Sequence, residues 1–306
     1  MRLAVGVFIA SLTFLVSGVA NAATESCGGL VSTIVGTPAS ERLVGTPGRD
    51  VIWAGSGRDV IVAGGGDDVI CAGPGHDRVG AGPGDDFVLL GSGSDLVFGR
   101  GGADRIRDFD GDDTLFGNTG DDAVQAGPGS DVIDAGEGTD VVNAGADGDD
   151  FVHGGPGADV VSGGSGGDYL TDDLGDDVLR GGDGNDFLVL GQGADELIGG
   201  PGRSDWVSGR SGSRSTAAVI DFAAGEAQSS FIGLDAITEF ERAMGTNHDD
   251  TLIGDSANNV LLGFAGSDHI EGRDGDDVLF GSNGSDFLDG GNGTDDCVGE
   301  TVVNCE

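Results

Sequence analysis

The sequence predicts an all-β solenoid of short strands and tight turns, and three observations carry that prediction. A nine-residue phrase, G-G-x-G-x-D-x-U-x with U aliphatic, runs through most of the 306 residues. It is clearest at Gly154-Gly155-Pro156-Gly157-Ala158-Asp159-Val160-Val161-Ser162 and at Gly181-Gly182-Asp183-Gly184-Asn185-Asp186-Phe187-Leu188-Val189. Its aspartates keep a constant step, and the slot two residues after each one stays aliphatic. A fixed short period over this length marks a repeat architecture, not a globular fold with incidental glycines.

The register is explicit. Asp50, Asp59, Asp68, Asp77, Asp86, Asp95, Asp104, Asp113, Asp122, Asp131 and Asp140 follow one another at equal intervals, with Glu41 in the slot before them. A one-residue insertion near Ala146 and Asp147 carries the series to Asp150, Asp159, Asp168, Asp177, Asp186 and Asp195. A second insertion, near Arg203, carries it to Asp205. After a break the phrase returns at Asp250, Asn259, Asp268, Asp277, Asp286 and Asp295. From Ile52 through Ile61, Ile70 and Val79 to Val207, no polar residue enters the aliphatic slot. That strictness predicts one buried side chain per short strand, with its neighbours facing out. The glycines supply the positive φ that so tight a loop needs. In two loops, Asp108-Phe109-Asp110-Gly111 and Asp172-Asp173-Leu174-Gly175, aspartate replaces glycine. There the expectation is that aspartate itself takes the left-handed geometry, which it tolerates better than most residues.

Taken in chain order, residues 1–22 read as a secretory signal peptide. Met1-Arg2 gives a basic start, residues 3–19 an apolar run, and Ala20-Asn21-Ala22 an A-x-A cleavage site. An uncleaved anchor is the alternative, although the run is short for a membrane span. Residues 23–35 form an N-terminal cap, 36–208 a first repeat block, 246–298 a second block and 299–306 a C-terminal cap. Cys27, Cys71, Cys297 and Cys305 are even in number, which in an exported chain favours disulfides. Cys297 with Cys305 would close one end and leave Cys27 with Cys71; free buried thiols are the other reading. Residues 209–245 lack the phrase. Residues 210–215 are locally basic, and Ile237, Phe240 and Met244 fit a helical face as well as strands. The segment reads as irregular solenoid turns joining the two blocks, with a ligand-binding lateral insertion as the alternative.

The charge is extreme: 54 acidic residues stand against 14 basic ones, for a net −40. Such a chain repels itself, and its 63 glycines raise the entropy cost of ordering it. Nucleic acid is disfavoured as a partner. No H-E-x-x-H, G-x-S-x-G or P-loop signature occurs. Asp108-Phe109-Asp110-Gly111-Asp112 lacks the late glutamate of an EF-hand and sits in the nine-residue register. His76, His153, His248 and His269 are scattered singly. Glu226, Asp235, Glu239 and Glu241 lie outside the repeats and read as a solvated face, with a glycosidase-like pair as the alternative. The position after each repeat aspartate is often apolar, as at Val51, Val60, Val69, Phe87, Leu96, Phe151, Tyr169, Phe187 and Trp206. These residues read as ladders packing on one another, or as a surface for a cell-wall polymer or another extracellular protein.

The phrase resembles the repeats-in-toxin (RTX, hemolysin-type) calcium-binding repeat, over roughly residues 36–208 and 246–298. The resemblance implies a right-handed parallel β-roll with two nonapeptides per turn and Ca²⁺ between loops on the same edge. It also implies a ligand set: the carbonyls of positions 2 and 4 in one loop, those of positions 1 and 3 in the next, and both aspartates. Carried over, Gly55, Gly57 and Asp59 would act with Ala72, Pro74 and Asp77. Gly73, Gly75 and Asp77 would act with Leu90, Ser92 and Asp95, and Gly64 and Gly66 fall at the same positions on the other edge. Hard oxygens in this number suit Ca²⁺, and roughly 21 such ions would nearly cancel the protein charge. The implied protein is secreted, bacterial and non-catalytic. It folds on calcium after export and has no transmembrane span in the mature chain. The rival readings are a secreted hydrolase or toxin-like effector with a site in residues 209–245, and a cell-surface module held by a partner. The N-terminal leader and cysteine-closed tail depart from the usual RTX export route, so the family's lytic activity is not carried over.

Overall fold

The computed structural model describes residues 26–202, 204–209, 216–229 and 233–305. The leader at 1–22 and the basic run at 210–215 lie outside the described residues. Among these residues every regular element is a β-strand. The chain alternates between two facing parallel sheets. One holds 14 strands in sequence order, from Arg42–Val44 to Asp296–Val298. The other runs from Ile34–Val35 to Thr301–Val303.

Strands pair with the strand one full turn away. Val51 stands beside Val69 in one sheet and Val60 beside Arg78 in the other, so one turn is two nonapeptides. The insertion at Ala146-Asp147 is absorbed as a longer turn: Val132 pairs with Phe151 and Val141 with Val160. Alternation along each three-residue strand sends its middle residue inward. Ile52, Ile61, Ile70, Ile106, Leu115, Ile133, Leu170, Leu179, Leu188 and Leu197 are fully buried between the sheets. Each contributes about 1.5–3 kcal/mol by leaving water. Small Ala54, Ala63, Ala72, Ala81, Ala126, Ala135 and Ala144 extend the same core toward the loops.

Both ends are pinned. Cys27 is bonded to Cys71, and Cys297 to Cys305. The first bridge spans 44 residues and the second 8; loop-closure entropy assigns them about 4 and about 2.5 kcal/mol. The hairpin of Ser26–Cys27 with Leu30–Val31 lies over the first turns. It covers Val51 and Val69, together with Cys71 and Phe87. Farther along, the outward apolar positions stack on one another: Phe151 on Tyr169 at 5.1 Å and Tyr169 on Phe187 at 5.2 Å. Trp206 follows in register, under the Arg242 guanidinium at 5.3 Å.

The break in the repeat changes one sheet only. In the 14-stranded sheet, Trp206–Ser208 pairs directly with Arg242–Met244. In the other, Glu196–Ile198 pairs with Gly233–Thr238, and from there the sheet passes antiparallel through Glu226–Ser229 to Ala218–Asp221. Ala218–Asp221 then pairs parallel with Thr251–Ile253. A three-stranded meander thus stands where a single strand would. The helical face open to Ile237, Phe240 and Met244 is not formed. Ile237 and Met244 are strand residues, and Ile237, Ala243, Ile220 and Ala227 carry the core across.

Loop geometry also departs from expectation. Asp108, Asp110, Asp172 and Asp173 do not adopt positive φ. The non-glycine residues that do so at position 2 are Arg100 (90°), Asn118 (79°), Phe264 (79°), Arg273 (78°) and Ser282 (75°). In the two aspartate-led loops the third position bridges the neighbouring loops in parallel, Asp110 with Ser92 and Leu174 with Pro156 and Gln192.

Candidate metal centre

The strand–loop boundary positions each repeat aspartate. Its carboxylate turns inward at the strand entrance, and one oxygen is fixed by the chain one turn earlier. The Asp59 N–H donates to Asp77 Oδ1 (2.7 Å), Asp77 to Asp95 (2.7 Å) and Asp95 to Asp113 (2.7 Å). This ladder continues through Asp131, Asp150, Asp168 and Asp186 to Asp205. On the opposite edge a second ladder runs from Asp50 through Asp68, Asp86, Asp104, Asp122, Asp140, Asp159 and Asp177 to Asp195. In the second block, Asp250 leads to Asp268 and Asp286, and Asn259 to Asp277 and Asp295.

The other oxygen has no such partner. From Asp59 to Asp205, every repeat aspartate is at most 3 % exposed, and its Oδ2 is buried without a hydrogen bond; Asp268, Asp277, Asp286 and Asp295 share this state. A buried anionic oxygen without a partner costs several kcal/mol. Desolvation is accordingly the largest influence on these groups. It pushes Asp86, Asp95, Asp104, Asp131, Asp159 and Asp186 up to about 7, against the opposing pull of the donated N–H.

Glycine leaves room for this arrangement. A Cβ on Gly99, Gly117, Gly163 or Gly181, at position 1, would strike Oδ2 of the aspartate in its own loop. Carbonyls fill the gap between successive loops of one edge. Gly55 O points at Gly73, Gly57 O at Gly75, and Gly64 O at Gly82, where a Cβ would collide. Gly66 O is aimed likewise at Gly84. From the other side of the gap, Pro74 O accepts the Gly57 N–H (2.9 Å) and Ser92 O the Gly75 N–H (2.9 Å). Every donor atom lining these gaps is oxygen, carboxylate or carbonyl. That set fits a hard divalent cation that sheds its water readily, and it offers nothing to a soft metal.

The chain matches the RTX calcium-binding nonapeptide repeat (4 copies) over residues 35–70, 44–79, 72–106, 107–142, 144–171, 171–205, 244–279 and 271–301. It belongs to that family. Calcium is therefore the ion that its repeats bind, at multiple places along the roll. Only this repeat matches, with no catalytic family beside it. A comparison with curated proteins finds no match.

Several of the family's positions are used differently here. Asp50 and Asp250 turn Oδ2 back to the Thr46 and Thr246 N–H groups, both at 2.6 Å. Asn259 Oδ1 accepts from the Asp255 N–H in the same way (2.8 Å), and Glu41 from the Thr37 N–H. Each block thus opens with two loops that close on themselves, each carrying Thr or Asp at position 2. Two of the four carboxylates read from sequence as a solvated face join the ladders instead. Asp235 is 1 % exposed and accepts the Asp195 N–H (3.0 Å); Glu241 accepts the Asp205 N–H (3.1 Å). Their signal was present: Asp235-Ala236-Ile237 and Glu241-Arg242-Ala243 keep the aspartate-to-aliphatic spacing without the glycine loop before it. Glu226 and Glu239 are exposed. Beside the meander an open groove of about 710 Å³ is lined by Phe222, Asp255, Ser256, Arg273 and Asp274.

The histidines keep to local contacts. His76 bonds Ser94, His153 bonds Thr171, and His269 bonds Glu271 while stacking on Phe287. Among the described residues no helix is long and apolar enough to cross a membrane.

Proposed function

We propose that the protein is an exported structural or adhesive rod that folds when it meets extracellular calcium. The observation that carries this reading is the pair of ladders of buried carboxylates, each with one oxygen lacking a partner, in a chain of net charge −40. Each gap between loops would take one ion. Its ligands would be the two aspartates, the carbonyls of positions 2 and 4 below, and those of positions 1 and 3 above. For Asp59 and Asp77 these are Gly55, Gly57, Ala72 and Pro74; for Asp77 and Asp95 they are Gly73, Gly75, Leu90 and Ser92.

Bound calcium supplies the positive charge and the missing partners. The chain supplies the spacing, the carbonyl orientation and the exclusion of water. Without the ions, self-repulsion and the entropy of 63 glycines oppose a core only one side chain thick. Binding energy is then folding energy. The disulfides suit an oxidising exterior. The stacked aromatic positions from Phe151 to Trp206 offer an outer face for a polymer or protein partner.

Far-UV circular dichroism of the purified protein tests this, with calcium titrated from chelator to about 10 mM and magnesium as control. A cooperative gain of strand signal with calcium alone is expected. At about pH 7.5, where the buried aspartates are ionised unless an ion holds them, a chain fully folded in chelator, or equally responsive to magnesium, would overturn the reading.

A further inference from the structure

One gap between loops is built unlike the rest. It lies between the loop ending at Asp177 and the loop ending at Asp195. The lower loop carries Asp172 at position 1, where the phrase calls for glycine. Asp172 is 5 % exposed, and neither of its carboxylate oxygens has a hydrogen-bond partner. The side chain projects up into the gap: a Cβ on Gly191, in the loop above, would strike Asp172 Oδ1. One oxygen each from Asp172, Asp177 and Asp195 lie within 4.8 Å of one another, and all three residues are buried. Gly175 O points into the same gap, toward Gly193.

Asp108 provides an internal control. It also replaces the position-1 glycine and is 3 % exposed. Its Oδ2, however, is tied to the Asp110 N–H (2.7 Å) within its own loop, which leaves one unpartnered oxygen where Asp172 has two. Asp172 has no such tether, and its carboxylate remains directed at the space between the loops.

We propose that Asp172, Asp177 and Asp195 form a three-carboxylate calcium site, distinct from the two-carboxylate gaps around it, that fills first and seeds the folding of the roll. The inference rests on the reading of the roll as calcium-folded. Affinity of oxygen sites for Ca²⁺ rises with the number of charged ligands. Three buried carboxylates converging with oxygens that lack another partner also gain the most from a cation placed between them. The first ion to bind therefore gains most here. Once placed, it fixes the loops on both sides, and the adjoining gaps form on a template already ordered.

The test is a chelator-competition titration of the purified protein with calcium alone, followed by circular dichroism on the same samples. Wild type is compared with Asp172→Gly, which restores the repeat phrase, Asp172→Asn, which keeps the shape without the charge, and Asp108→Gly. No hydrogen bond is lost in either Asp172 variant, so both retain the fold at saturating calcium. In wild type, about one ion per chain is expected to bind ahead of the cooperative phase, tenfold or more tighter than the rest. Both Asp172 variants should lose that ion and raise the calcium midpoint of folding, while Asp108→Gly should keep it. A tight first ion that persists in Asp172→Gly and Asp172→Asn would overturn the proposal. So would its loss in Asp172→Gly but not in Asp172→Asn, which would assign the effect to packing. Wild type that folds without calcium at about pH 7.5 would instead overturn the calcium-folded reading itself.

Discussion

The regular roll of residues 36–208 and the meander of residues 218–238 share one core but not one ladder of charge. In the roll, each repeat aspartate receives an N–H from the turn before it and donates its own to the turn after, so its carboxylate borders two gaps. At the meander both ladders stop. Asp235 ends one, and its edge resumes only at Ala218, whose N–H reaches Asp250 (2.7 Å). Glu241 ends the other, and Asn259 above it bonds within its own loop. The aliphatic slot continues unbroken through Ile237, Ala243, Ile220 and Leu252. Hydrophobic burial is non-directional and tolerates an antiparallel detour. A row of ion sites does not, because it needs two loops stacked in one register. The molecule therefore holds two separate stacks of buried carboxylates on one continuous core.

The largest expected effect comes from pH without calcium. In the folded metal-free roll, burial holds aspartates such as Asp95, Asp104 and Asp131 protonated up to about 7, whereas in the unfolded chain they ionise near 4. The folded form binds more protons in between. Its stability is thus full below about pH 4 and is lost as pH rises through about 7. In chelator, strand signal by circular dichroism is expected at pH 4 and should be gone by about pH 7.5. A signal that grew with pH would contradict the burial of the ladders.

Next in size is a contrast between two glycines. In the roll, Gly75→Ala drives a Cβ into Gly57 O of the loop below. A loss of about 3 kcal/mol or more is expected, with a higher calcium midpoint, because backbone must move. In the meander turn, Gly225 has φ of 72° and its nearest obstacle is Ile237 O at 3.4 Å. Gly225→Ala should cost only about 1 kcal/mol, the penalty of the left-handed backbone. Denaturation at saturating calcium separates the two, and equal losses would deny that the roll loops are the tighter stack.

The smallest effect sharpens the comparison at single sites. Asp95→Asn keeps an oxygen for the Asp77 N–H but removes charge from two gaps, so about two ions per chain should weaken. Asp235→Asn, at a ladder end, should weaken about one. Calorimetric stoichiometry at intermediate calcium distinguishes them. Equal losses would mean that the ladder continues through the meander.

Most of this organisation was legible in the residues. The aspartate step gave the repeat, the family resemblance put two repeats in each turn, the aliphatic slot gave the core, and both one-residue insertions reappear as a longer offset between paired strands. The cysteine pairs are found as paired. Less legible were the parts where one residue type serves two ends. Asp172 and Asp108 look like the same glycine replacement, yet one is tethered to its own backbone and the other is not. Asp235 and Glu241 lack the glycine loop that marks their kin, and contacts 40 and 36 residues away bring them into line. Thr46 and Thr246 mark the self-closing first loops, a pattern that stands out only once the hydrogen bonds are known.

The sequence by itself determined the solenoid, its period and its single-file core. Those follow from local periodicity, which strand alternation converts directly into inside and outside. Only the tertiary structure decided which carboxylate oxygens are left without a partner and which aspartates share a gap. It also decided where the charge ladders end while the core goes on. These depend on which loop stands above which, and stacking between turns is set by pairings that no nine-residue window contains.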